Sequence, residues 1–381
     1  MERSTGRAES NPELVAAIRD EVVRAGRITF ARFMELALYH PEHGYYRAAA
    51  VRPGRAGDFL TAPEAHPIFG HALARQLDEM WHVLGQPAPF ILREYGAGAG
   101  TLARAILDGL RADNSALLPY LRYQPVEINA SRRRELGETL IEAGFGAQLA
   151  EPGEGSFTGC VLANEFVDAF PVHRVVQESG ELREVFVAWR DGWFADELGP
   201  LSTPAIAARL AEEGIVLAEG QRAEVNLKAD DWVREIAGAL ARGYALVIDY
   251  GYPAAELYGP GRREGTLKAY TQHRVHEDPY QTIGEQDLTA HVDFTALERA
   301  AQAVGLTPLG LTTQSDFLAG CGIGELLVAL QSEPSMTFEA YVAARSAVMR
   351  MIDPGAMGRF RVLLLGKNAP ETTLRGFSVR L

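Results

Sequence analysis

Apolar positions change their period along this chain. Up to about residue 85 they recur at helical spacing, and from Phe90 onward they fall into short runs separated by helical stretches. Asn11-Pro12 sets a capping side chain before a proline at the first helical position, which predicts a helix start. A second helix is predicted from Thr29, with Ile28 and Phe33 spaced as a hydrophobic staple around the cap. It should end before His40-Pro41, because the residue preceding a proline avoids the α region. Between His40 and Glu64 the chain is rich in Gly and Pro and too long for a plain connector, and ordered loops of that kind are a common seat of function.

Past Phe90, strands are predicted at Phe90–Glu94, Tyr123–Ile128, Cys160–Ala163, Tyr244–Asp249, near Leu306–Leu311, and at Val362–Leu365. The helix Thr101–Leu110 carries Leu102, Ile106 and Leu110 on one face. Another, capped by Asp293, should turn Leu297, Ala300, Ala301 and Val304 inward. Strands alternating with helices predict an α/β fold with an open, doubly wound sheet. Glu184–Glu197 breaks the alternation with two alternating strands around Asp191-Gly192, a hairpin signal, so residues 178–221 are expected to form an inserted small β flap. The expected division is residues 1–89 as an N-terminal helical extension with a covering loop, and residues 90–381 as the core with that insertion.

Composition narrows the class. A chain of 381 residues suits one large α/β unit with additions, or two domains, and 47% apolar with 23% charged residues excludes disordered and fibrous classes. The net charge of -13, from 37 basic and 50 acidic side chains, repels phosphate backbones and anionic lipids, so neither nucleic acid nor membrane is an expected partner. Cys160 and Cys321 lack CxxC spacing, which fits a reducing compartment and gives no cysteine metal site. The first residues have mixed charge and no apolar core, and no run approaches the roughly 20 apolar residues of a membrane span, so a soluble cytoplasmic protein is expected.

The sharpest chemical feature is Glu94-Tyr95-Gly96-Ala97-Gly98-Ala99-Gly100-Thr101, between a predicted strand and a predicted helix. Glycines let the backbone approach a ligand, and the helix start offers N–H groups and a positive dipole end, so a nucleotide-like ligand is expected. Thr101 stands where a dinucleotide fingerprint wants its last glycine. Glu127, at the next strand end, can accept two hydrogen bonds from vicinal ribose hydroxyls. Asn164, Glu165 and Asp168 follow an apolar strand at its carboxyl end, where open α/β sheets place their crevices. The competing reading is a helix start capped by Asn164. Gly57, Asp58, Thr61, Pro63 and Glu64 lie in the long loop and have the chemistry to cover a polar ligand, although turns of this composition form without one. His40, His43, His66 and His71 make no HExxH arrangement, so no metal is expected.

In order along the chain, ITFARFMELALYHPEHGYY, GDFLTAPE, REYGAGAGTL, VEINASRRREL, LANEFVDAFPVH, VIDYGY, GTLKAYTQHR and QDLTAHVDFTALERAAQAVGL closely resemble the MidA family, over roughly Ile28 to Leu365. The combination of GDFxTxPE, NExxDAxP and DLTxHVDF is specific. The resemblance implies a class I methyltransferase fold, Rossmann-like, with extra N-terminal helices and insertions, and S-adenosyl-L-methionine as cofactor. For the family member that serves mitochondrial complex I assembly, it implies symmetric dimethylation of an arginine in a protein. Carried over residue by residue, Glu94, Gly96, Gly98 and Gly100 match the cofactor motif and Glu127 matches the ribose acid, with Thr101 and Asn164 as further candidate cofactor-binding residues. Asn164, Glu165, Asp168 and Pro171 match NExxDAxP, and Gly57, Asp58, Thr61, Pro63 and Glu64 match the loop motif. Ala105 departs from the Asp common in the helix after the glycines, and Ala97 and Ala99 depart in the loop itself.

Methyl transfer is an in-line displacement governed by positioning and electrostatics. A guanidinium acceptor needs carboxylates to offset its charge against the sulfonium, and Glu165 and Asp168, with Asp58 or Glu64, are the candidates to grip it, with Asn164 beside them. Three readings stay open at the level of sequence: methylation of arginine in a protein or peptide, O- or N-methylation of a small molecule or peptide, and a non-catalytic assembly factor that keeps the fold. A homodimer is also left open.

Overall fold

The protein is described here by a computed structural model covering residues 9–47, 61–271, 274–334 and 336–379, so Gly57 and Asp58 lie outside the described residues. The chain forms two compact units, one of Met1–Phe59, Val167–Trp232 and Gly251–Arg299, the other of Leu60–Phe166, Val233–Tyr250 and Ala300–Leu381. These units are interleaved in sequence, unlike the linear division at residue 89. Backbone pairing explains the difference on the N-terminal side, since Ile28–Thr29 pairs antiparallel with Glu181–Arg190 and joins the first residues to the insertion.

The second unit is built on helix α1 (Ile68–Val83), strand β1 (Phe90–Tyr95), helix α2 (Thr101–Ala112), strand β2 (Leu121–Val126), helix α3 (Ala130–Glu142) and strands β3 (Phe157–Asn164), β4 (Leu240–Asp249), β5 (Thr307–Thr313) and β6 (Arg361–Lys367). The sheet order is β5-β6-β4-β3-β1-β2. Strands β2, β1, β3 and β4 run parallel, and β6 lies antiparallel to both β4 and β5. All six predicted strands are present. The second ends at Val126 rather than Ile128, because the Glu127 carboxylate takes the Asn129 N–H at 2.7 Å and turns the chain.

Every residue of β1 is buried, as expected of a strand covered on both faces. That includes Arg93, whose guanidinium donates to Gln124 Oε1 at 3.0 and 2.8 Å and to the Gly153 carbonyl at 3.2 Å, and stacks 4.6 Å from the Phe157 ring. Helices α1 and α2 touch through small residues. A Cβ on Gly70 would lie 2.4 Å from that of Ala105, which is itself 4% exposed. Ala105, the position that departs from the family's Asp, is thus buried where the two helices meet.

The other unit begins with helices Pro12–Ala25 and Phe30–Tyr39. They are capped as predicted, Asn11 Oδ1 accepting from Leu14 N at 3.0 Å and Thr29 Oγ1 from Arg32 N at 3.1 Å. The hairpin turns at Asp191 and Gly192, with φ of 50° and 78°. The flap is wider than residues 178–221: in its sheet His173–Glu178 lies between Arg222–Val225 and Glu181–Arg190, and Trp193–Gly199 pairs with Glu181–Arg190. A further small sheet of Lys268–Thr271, Arg274–His276 and Asp287–Thr289 was not legible as strands. Phe33 packs at the centre of this unit, its ring 5.8 Å from Phe194 and 5.2 Å from Tyr280. Asp293 caps Phe294–Ala303 through the Ala296 N–H at 3.0 Å. No helix among the described residues is long and apolar enough to cross a membrane.

Candidate cofactor and active site

The carboxyl ends of β1, β2 and β3 carry most of the residues singled out from sequence. After β1 the chain turns through Gly96, Gly98 and Gly100 at φ of 70°, 55° and 84°, a conformation that side chains with a Cβ resist. Two of these glycines are also required by close approach. A Cβ on Gly96 would sit 2.9 Å from the Phe166 ring, and one on Gly100 would sit 2.8 Å from Leu136. Gly98 differs, since nothing lies within 4 Å of the place where its Cβ would be. Gly100 opens α2, and the first helical residue, Thr101, is exposed.

Glu127 leaves the end of β2 and reaches this loop. Its Oε2 accepts from Gly98 N at 2.9 Å and its Oε1 from Asn129 N at 2.7 Å. Asn129 in turn caps α3, accepting from Ser131 N at 3.0 Å and Arg132 N at 3.2 Å. Each Glu127 oxygen thus makes one backbone hydrogen bond and keeps lone-pair capacity for another donor. Ile128, next to it, leaves its apolar side chain 40% exposed. The sequence reading missed Ile128, although an apolar residue following a strand-end acid was a visible signal.

Glu94 faces the other way. It is 3% exposed and its Oε2 accepts from the Tyr123 hydroxyl at 2.7 Å. Burial pushes its carboxyl up to about 7, the Tyr123 hydrogen bond opposes that rise, and the nearby Glu127 charge adds to it. This motif acid sits inside the sheet rather than at the loop surface.

Asn164 ends β3, and no helix follows it, so the capping alternative for this residue fails. Its Nδ2 donates to Glu165 Oε1 at 3.3 Å, and its Oδ1 is buried without a hydrogen-bond partner among the described residues. Glu165 adopts φ of 48°, uncommon for a residue with a side chain, while its N–H donates to the Ile248 carbonyl at 2.8 Å. The motif divides at this point. Asp168 belongs to the N-terminal unit, is 3% exposed, and accepts the Ala290 N–H on its backbone carbonyl at 3.0 Å.

In the loop motif, Thr61 and Glu64 satisfy one another. Thr61 N and Oγ1 donate to Glu64 Oε2 at 3.1 and 2.9 Å, capping the short helix Ala62–Ala65, in which Pro63 is buried. Burial raises the Glu64 carboxyl above its usual range, against the lowering effect of the Thr61 hydrogen bonds.

A family model described as "Putative S-adenosyl-L-methionine-dependent methyltransferase" matches residues 72–312, well over half of the chain. The chain belongs to this methyltransferase family. Its similarity to a COG1565 superfamily member from Burkholderia thailandensis, crystallised with S-adenosyl-homocysteine, extends over nearly everything: 35% identity, a TM-score of 0.87, and coverage of 98% of this chain and 96% of that one. Among curated relatives, the mitochondrial protein arginine methyltransferase NDUFAF7 homolog of Drosophila melanogaster is 32% identical over 334 residues, covering 79% of this chain and 73% of the relative. Human NDUFAF7, also named a mitochondrial protein arginine methyltransferase, is 30% identical over 351 residues, covering 83% and 75%. The fold is accordingly that of class I methyltransferases, and the resemblance to the MidA family read from the motifs holds.

Proposed function

We propose that this chain methylates arginine in a protein acceptor, with S-adenosyl-L-methionine as methyl donor, and that symmetric dimethylation is its product. One observation carries the cofactor half of this reading: the glycine loop, Glu127 and Asn164 meet at the strand ends with unused hydrogen-bonding capacity, including the buried Asn164 Oδ1. The donor set fits an adenosyl amino acid. Glu127 suits vicinal ribose hydroxyls, Ile128 offers an apolar face to a flat ring, and the loop N–H groups with Asn164 suit the polar amino-acid end. When bound, the cofactor supplies an electrophilic methyl on a sulfonium.

The arginine half rests on Glu165 and on the names of the relatives, two of which are called protein arginine methyltransferases. A carboxylate beside the transfer point offsets the guanidinium charge, orients its planar N–H pair and receives the released proton. The φ of 48° fixes where the Glu165 side chain leaves the backbone, so its direction is set before an acceptor arrives. The test is transfer of labelled methyl groups into a proteome lacking this protein, read by mass spectrometry, with wild type and Glu165→Gln side by side. Wild type should label arginines, and the variant should lose about a hundredfold or more in rate. Equal rates would remove Glu165 from the mechanism. Label appearing only in small molecules would replace the protein acceptor with a small one.

A further inference from the structure

Asp249, the aspartate of the VIDYGY motif, stands at the centre of the hydrogen bonding at the end of β4. We propose that Asp249 is a positioning residue of the cofactor site, acting through Phe166 on the glycine loop. The inference rests on the cofactor reading above.

Asp249 is the last residue of β4 and is fully buried. A carboxylate there must be met by donors, and two backbone groups meet it: Phe166 N at 3.2 Å on Oδ2 and Tyr250 N at 2.9 Å on Oδ1. The preceding residue of the strand contributes as well, the Ile248 carbonyl accepting from Glu165 N at 2.8 Å. The end of β4 thus holds two successive N–H groups of the turn after β3, one of them belonging to the residue at φ of 48°. A strained turn persists where its surroundings hold it, and here the holding groups are a strand carbonyl and a buried carboxylate.

Phe166 passes this constraint on. Its ring lies 2.9 Å from the position of a Gly96 Cβ, and its centroid is 5.7 Å from that of Tyr95, the residue leading into the loop. Gly96 is therefore glycine partly to admit Phe166, and the ring limits how far the loop can move away from the strand ends. The path runs from the Asp249 carboxylate to the Phe166 N–H, then through the ring to Gly96 and on to Gly98, whose N–H is the group bonded to Glu127. Asparagine at 249 would keep one acceptor oxygen but set an NH2 group against the other N–H, loosening the turn with almost no change in volume.

The experiment compares wild type, Asp249→Asn, Phe166→Ala and the double variant by calorimetric titration with S-adenosylhomocysteine and by amide hydrogen exchange without ligand. Asp249→Asn should weaken binding about tenfold at unchanged stoichiometry. It should also speed exchange at Phe166 and residues 96–100 while the amides of β6 keep wild-type protection. The double variant should bind no more weakly than Phe166→Ala alone, since both changes break one path. Unchanged affinity and exchange in Asp249→Asn would overturn the proposal. So would additive losses in the double variant, or a fall in stoichiometry at constant affinity, which marks a purely structural role. If wild type itself fails to bind S-adenosylhomocysteine, the cofactor reading falls, and the exchange data alone decide whether Asp249 holds the loop.

Discussion

Glu94 and Glu127 stand 33 residues apart as two carboxylates of one sheet end, yet they do opposite work. Glu127 is held by backbone N–H groups at the loop, whereas Glu94 is enclosed in the sheet with Tyr123 and titrates at about 7 instead of its ordinary 4.5. Between those two values the folded protein binds more protons than the unfolded chain. This group's contribution to stability is therefore intact below pH 4.5, falls as pH rises, and is lost above about 7. Glu94→Gln keeps an acceptor for Tyr123 and removes the charge. It should gain on the order of 3 kcal/mol over wild type at about pH 8 and nothing at about pH 4, read from urea unfolding. Equal gains at both pH values would refute a titration effect. The glycines and Glu127 were legible as residues because spacing and residue type alone mark them. The inward face of Glu94 was not, since its partner is 29 residues away in sequence.

At the scale of elements, the crossing of α1 and α2 shows how local composition sets packing. Gly70 meets Ala105 and the backbone of Ile106, and Gly109 meets His71 and Ala74, so small residues on each helix admit the other. Gly70→Ala would bring its Cβ to 2.8 Å from a backbone carbon of Ala105, which does not yield as a side-chain tip would. We expect a loss of about 1–3 kcal/mol by chemical denaturation. Adding Ala105→Gly should restore part of it, and a double variant no more stable than Gly70→Ala would contradict direct contact as the cause. The predicted strands of the main sheet were recovered because their apolar runs are continuous, and both N-terminal caps because a cap is a local pattern. The short strands at Lys268–Thr271, Arg274–His276 and Asp287–Thr289 escaped notice since three or four residues give too little alternation to read. The flap also outgrew its predicted limits, because pairing extends each strand beyond the hairpin that announced it.

For the whole molecule, the net charge of -13 acquires meaning from the proposed acceptor. An acidic protein attracts a basic, arginine-bearing chain at long range, and salt screens that attraction with a Debye length of about 10 Å at 0.1 M. The KM for a basic protein acceptor should therefore rise severalfold between about 0.05 and 0.3 M salt, while binding of S-adenosylhomocysteine changes by less than about twofold. A salt-independent KM would separate the overall charge from acceptor choice.

By itself the sequence determined the alternation of the α/β core, the glycine loop, the strand-end acid Glu127, the two N-terminal caps and membership of the methyltransferase family. All of these rest on short-range patterns of residue type and spacing. Only the tertiary structure decided that Glu94 turns inward to Tyr123, that NExxDAxP is shared between two units, and that Phe166 lies over Gly96 under the hold of Asp249. Those facts come from contacts between residues 29 and 83 positions apart for Glu94–Tyr123 and Phe166–Asp249, where the order of strands in the sheet, not the order of residues in the chain, selects the partner.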